Sequence, residues 1–156
     1  GAELVSADYK HLENLERPVE IHFKFKGGRI KRQNNGGHFL FPYGAPKDLL
    51  SRFASQAKRN QDLKIRVPFA NETTMRYRLP DDRSIERMPE SVELQSKFGS
   101  LTIDYKREDG TFVADIRYSI DVQRVDVEEY GKFRQFMSEA TSALNNTIGL
   151  TEETTK

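Results

Sequence analysis

The sequence predicts an all-β domain, mainly an antiparallel β-sandwich, that ends in a C-terminal α-helix and carries one short helix near residues 46–57. Three observations predict it. Apolar and polar residues alternate with a period of two over several separate runs, Gly, Pro, Asn and Asp stand between those runs, and the period turns helical for a long stretch only after Asp126. The 156 residues, 36% apolar and 31% charged, suffice for one core and are too few for two full-sized ones. A single domain is therefore expected over 12–150, with 1–11 a flexible N-terminal segment and 151–156 a disordered tail.

Val19, Ile21, Phe23 and Phe25 alternate with Glu20, His22, Lys24 and Lys26, as a strand with one buried face requires, and Gly27-Gly28 end the run. The basic segment "GGRIKRQNNGG" reverses the chain into "HFLFP", so this opening reads as a hairpin or meander. Between Ala45 and Asn60, Leu49, Leu50, Phe53 and Ala57 recur at helical spacing behind Pro46, which suits a helix start; an irregular loop competes for the same stretch. "DLKIRVPF" and "TTMRYRLP" are two further alternating runs. Leu63, Ile65 and Val67 share one face of the first, Met75, Tyr77 and Leu79 one face of the second, and "ANE" is the turn between them.

From Val92 the pattern is cleanest. Val92 and Leu94 start a strand that "SLTIDYK" continues with Leu101, Ile103 and Tyr105, and "REDG" supplies an Asp109-Gly110 hairpin turn. "TFVADIRYSIDVQR" returns with Ile116, Tyr118, Ile120 and Val122 on the core face. Asp126 is expected to cap a helix running to about Asn145, with Glu129 as its capping-box partner. Tyr130, Phe133, Phe136, Met137, Ala140 and Leu144 form the helix's apolar stripe, which packs on a sheet.

Composition excludes several chemistries. The 25 Lys and Arg nearly cancel the 24 Asp and Glu and are interspersed with them, so no nucleic acid or anionic lipid is expected as a partner. The absence of cysteine removes disulfides, thiolate metal sites and thiol nucleophiles. His11, His22 and His38 are scattered without HxH or HExxH spacing, "SKFGSL" is not a nucleophile elbow, and neither a P-loop nor a dinucleotide fingerprint occurs. No catalytic, cofactor-binding or metal-ligating residue is assigned. No run approaches the roughly 20 apolar residues of a membrane span, so membrane insertion of this domain is not expected. Gly1 in place of Met fits a processed or excised chain with a longer parent, and the missing signal peptide is no evidence for the cytoplasm.

The stretch from Arg78 to Ser100 gathers acids, bases and two prolines. Pro80-Asp81-Asp82 and Met88-Pro89 have turn chemistry, so the stretch is expected to connect strands. Within it Arg83, Glu86 and Arg87 would form a polar rim, and Phe98 with Gly99 a place where a partner's backbone comes close; together they are the expected partner contact. The competing reading is that the prolines shape a turn and Phe98 plugs the local core. Lys26, Arg29, Lys31 and Arg32 make a basic ribbon that could touch phosphate or an anionic glycan, but it reads better as a solvated hairpin whose charge discourages edge pairing.

One combination goes beyond composition: "RNQDLKIRVPF", then Leu79-Pro80, "MPESVELQSKFGSLTIDYKREDG", and finally "VDVEEYGKFRQFMSEATSALNNTIGL". Over Leu12 to Leu150 it resembles the C-terminal β-rich domain of bacterial transglutaminase-like proteins. Arg59, Leu79-Pro80, Met88-Pro89, Ser96, Phe98-Gly99, Tyr130, Phe133 and Arg134 occupy the family's positions, with Met88 in place of the usual leucine. The resemblance implies a non-catalytic accessory domain that follows a transglutaminase- or protease-like core in an exported protein, periplasmic or extracellular. Its partner would be that upstream core or another envelope protein. The core's Cys-His-Asp triad is not carried over, because this chain has no cysteine. Two other functions compete. One is a glycan-binding module using Phe41, Tyr43, Tyr77 or Tyr118; the other is a small hydrolase using Asp81, Asp82 or Glu90 with a histidine.

Overall fold

The computed structural model describes residues 3–26, 30–32, 38–40, 47–79, 81–108 and 111–152. In chain order these form β1 (Glu3–Lys10), β2 (Glu20–Lys26), β3 (Ile30–Arg32), β4 (His38–Leu40), α1 (Leu49–Ala54), β5 (Leu63–Lys64), β6 (Phe69–Arg78) and β7 (Arg83–Arg87). There follow β8 (Val92–Ser96), β9 (Gly99–Glu108), β10 (Thr111–Ile120), β11 (Arg124–Val125), a 3-10 turn (Val127–Glu129), α2 (Tyr130–Leu144) and β12 (Ile148–Glu152). Among the described residues all strand pairs are antiparallel, in two four-stranded sheets, β6-β10-β9-β8 and β3-β4-β12-β7, and two ribbons, β1-β2 and β5-β11. The predicted class, all-β with a C-terminal helix and a short one before it, is the class observed.

The first sheet follows from alternation. Leu101, Ile103 and Tyr105 of β9 and Phe112, Ala114, Ile116, Tyr118 and Ile120 of β10 are buried on one face. Across the same strands Thr74 donates to Asp115 (2.6 Å), Lys106 pairs with Asp115 (3.7 Å) and Arg117 with Glu72 (2.9 Å) on the face left to water. The "ANE" segment, expected as a turn, is strand instead: Ala70, Asn71 and Glu72 pair with Ser119, Tyr118 and Arg117 of β10. A ten-residue partner ladder outweighs the local turn preference of Asn71. Val67 was expected in the core and is 68% exposed, because β5 ends at Lys64 and the alternation past Ile65 has no strand to continue it.

Phe133, Met137, Ala140 and Leu144 of α2 are buried with Tyr130 and Phe136, so the predicted stripe faces the sheets. Its N-terminus differs from expectation. Val127–Glu129 is a 3-10 turn, and Asp126 makes no side-chain cap. The Asp126 carboxylate is engaged by Arg124 (3.1 Å), and Asp62, from the loop before β5, accepts from the Val127 amide at 3.0 Å. Arg124 also pairs with Asp62, so one carboxylate ties the β5-β11 ribbon to the helix entrance. Glu129 pairs with Lys97 rather than closing a capping box.

The short helix is real but brief. Asp48 caps α1 by accepting from the Ser51 amide (3.0 Å), and the Leu50 amide donates to Thr141 of α2 (2.9 Å). Ala57 lies beyond its end and is exposed. The hydrogen bonds from Ser51 hold the Asp48 carboxyl below its ordinary value of 3.8. Because the folded value is depressed, the stabilisation is present above the unfolded value and is lost as pH falls through the lower, folded one. Asp48→Ala is therefore expected to lower the thermal midpoint at neutral pH, with the difference from the parent shrinking at a pH below the carboxylate range. A difference that stays constant across that range contradicts the cap.

Strands reach into both terminal segments. Residues 1–11, expected to be flexible, include β1, which pairs with β2 from Glu3↔Lys26 to Lys10↔Glu20. Residues 151–156, expected to be a disordered tail, begin inside β12, where Thr151 and Glu152 pair with Ser84 and Arg83. The rest of that tail, 153–156, lies outside the described residues, as do Pro80 and the Asp109-Gly110 turn; Glu108 and Thr111 flank that turn as paired residues.

Candidate interaction site

The stretch expected as a connector between strands holds a strand of its own. Arg83–Arg87 is β7, the end strand of the second sheet, paired with β12 through Gly149↔Arg87, Leu150↔Ile85, Thr151↔Ser84 and Glu152↔Arg83. One step on β12, Gly149 to Leu150, opposes two on β7, so Glu86 is the extra residue of a β-bulge. A bulge bends the strand and re-aims its side chains, here at a sheet edge. Glu86 and Arg87 are exposed, Ile85 is half-buried against the core, and Arg83 is half-buried with its guanidinium 3.7 Å from Asp82.

Beside the bulge, Arg87, Pro89, Glu90, Ser91, Val92, Asn146 and Thr147 line an open, shallow depression between the end of β7, the start of β8 and the α2–β12 connection. Its floor is anchored: Ser91 accepts from the Tyr105 amide at 3.3 Å. Enclosed, mostly apolar clefts bind small molecules. An open polar depression next to a strand edge suits an extended segment of polypeptide, whose backbone needs hydrogen-bond partners and whose charges meet Arg87 and Glu90.

Phe98 and Gly99 do not belong to this surface. Phe98 is 4% exposed and meets Phe133 edge-on with ring centres 5.4 Å apart. Gly99 has φ +152°, and a Cβ there would lie 2.1 Å from the Ser119 carbonyl oxygen. The close backbone approach at Gly99 is thus made by the protein's own β10, and the aromatic plugs the local core. Lys97 and Phe98 form the β8–β9 reversal, closed by the pairing of Ser96 with Gly99, so the single run expected from Val92 to Lys106 is two strands. Of the five expected contact residues, Arg83, Glu86 and Arg87 are brought together at the strand edge.

The residues of the competing readings are dispersed. Tyr118 is buried against Phe69 and Tyr77 half-buried against Phe112, so neither offers a flat aromatic platform; Phe41 and Tyr43 lie outside the described residues. Asp81 and Asp82 are exposed beside β7, whereas His22 lies on β2 paired with Glu20 (3.3 Å), and the His11 Nδ1–H donates to the Pro18 carbonyl oxygen (3.1 Å). Among the described residues no cluster of three His, Asp or Glu could hold a metal, and no helix is long and apolar enough to cross a membrane. The side chains of the basic ribbon at Arg29, Lys31 and Arg32 lie outside the described set.

Two comparisons with known proteins give matches. A family model described as a "Domain of Unknown Function with solved-structure structure" (DUF3858) covers residues 42–150. A solved chain from Parabacteroides distasonis, described as a "putative protease", shares the fold with a TM-score of 0.63 at 15% identity, over 78% of this chain and 24% of that one. This chain thus spans about a quarter of that protein's length. No curated protein matches it.

Proposed function

The chain belongs to the DUF3858 family, and from that premise we propose that it is a non-catalytic accessory domain that contacts the catalytic part of a longer polypeptide through the β7 edge. The observation that carries this reading is the share of the solved relative: the fold accounts for 24% of a much longer chain described as a "putative protease". We accordingly read this chain as one part of a longer polypeptide whose chemistry is carried by the rest. The surface at Glu86 and Arg87 supports the reading, since a bulged strand edge beside a polar depression presents both backbone and charge to a neighbour.

The finer assignment, a transglutaminase-like core in an exported protein of the cell envelope, rests on the resemblance of "MPESVELQSKFGSLTIDYKREDG" and the helix after it. A cysteine-free chain cannot supply that core's thiol nucleophile. The purified chain is expected to hydrolyse no peptide, ester or glycan above background. Activity that copurifies with the folded chain and vanishes on Asp82→Ala would overturn the non-catalytic reading.

A further inference from the structure

We propose that the β1-β2 hairpin is a second contact, whose apolar face is covered by an apolar sheet face of the same longer polypeptide; this rests on the accessory-domain reading. The register puts Leu4 opposite Phe25, Ala7 opposite Phe23 and Tyr9 opposite Ile21. A register shift between Leu4 and Ser6 makes Val5 the extra residue, which lets Leu4 share a face with Ala7 and Tyr9 despite their odd spacing. Phe23 and Phe25 stack on that face at 5.8 Å. The opposite face is polar: Asp8 faces His22, Lys10 faces Glu20, and Glu20 is engaged by His22 at 3.3 Å and Lys10 at 3.8 Å. The hairpin is amphipathic with one side already satisfied by water and ion pairs, so one layer completes it.

Leu4 is 65% exposed, Tyr9 54%, Ile21 55% and Phe23 52%. With about 150–250 Å² of surface for each aromatic residue and somewhat less for the aliphatic ones, the face exposes on the order of 500 Å². That is as large as the largest apolar patch on an ordinary monomer, and such patches mark contacts. A two-stranded hairpin is also marginal by itself in water. The area decides between occupants. Matched by an equal surface, it buries about 1,000 Å², short of the roughly 1,200–2,000 Å² of stable free complexes. It falls inside the roughly 600–1,500 Å² typical between domains of one chain, where tethering raises the effective concentration. A second copy is therefore disfavoured and a tethered neighbour favoured. The hairpin also lies outside the family match, which begins at residue 42, so it is free to serve an adjacent unit.

The test is amide hydrogen exchange on the complete encoded polypeptide and on this chain alone. Amides of β1 and β2 are expected to exchange at least tenfold slower in the complete polypeptide. Ile21→Asp with Phe23→Asp should abolish that protection, while Lys24→Glu on the polar face should not, and an unchanged unfolding midpoint of the 42–150 domain shows that each variant remains folded. Equal exchange in both molecules with β7 protected overturns the hairpin contact and leaves the accessory reading standing; equal exchange at both places overturns both. A concentration-dependent dimer of the isolated chain that Phe23→Asp dissolves assigns the face to a second copy and likewise overturns the inference.

Discussion

Gly99→Ala is expected to destabilise the domain by about 3 kcal/mol or more, a large share of the roughly 5–15 kcal/mol that keeps a domain folded. Two independent causes act at this residue. Its φ of +152° is a conformation that L side chains rarely adopt, and the added Cβ would sit 2.1 Å from the Ser119 carbonyl oxygen and 3.1 Å from the Ile120 Cα. Neither neighbour can yield. Gly99 pairs with Ile120 at the end of the β9-β10 ladder, and the Asp121 amide donates to the Phe98 carbonyl at 2.9 Å, so β10 is held on both sides of the reversal. Urea denaturation of the variant should give a midpoint far below that of the parent. A loss under about 0.5 kcal/mol, as for a neutral surface change, would mean that the reversal relaxes freely.

Phe133→Ala is expected to cost about 3–5 kcal/mol. The side chain is fully buried at the middle of the α2 stripe and meets Phe98 edge-on, so truncation removes apolar surface from the core and strips the Phe98 ring of its partner. Lys132→Ala, one residue away and 75% exposed at its side chain, serves as the control. If the two variants shift the unfolding midpoint equally, Phe133 does not hold the helix to the sheets. Phe98→Ala should be less than additive with Phe133→Ala, because the two rings share one contact.

The parts of the fold legible in the sequence are those in which one element's own periodicity decides its face. The α2 stripe and the alternating residues of β9 and β10 are of this kind, and Leu101, Ile103, Ile116 and Ile120 are buried as their spacing requires. The illegible parts depend on a distant partner. Asn71 and Glu72 become strand because β10 lies beside them, Asp62 accepts from the first amide of a 3-10 turn 65 residues away, and Arg83 to Arg87 become a strand because the last described residues, Gly149 to Glu152, return to pair with them. The bulge at Glu86 has no local signal, since it exists only in the β7-β12 register. In the same way Asn146 and Thr147 join the depression only through the tertiary fold. Arg83, Glu86 and Arg87 stand out in the sequence by their charge between two prolines, while Phe98 and Gly99 next to them mislead: a large apolar side chain and a glycine look alike in sequence whether they serve a partner or the core.

Contact between this chain and a catalytic neighbour is open to direct measurement by calorimetric titration of the chain into the remainder of the encoded polypeptide, produced separately. Saturable one-to-one binding is the predicted result, weakened about tenfold, or ~1.4 kcal/mol, by Glu86→Lys with Arg87→Glu and unaltered by Arg117→Glu on the water-facing side of the first sheet. Absence of binding, or equal binding by both variants, would contradict it.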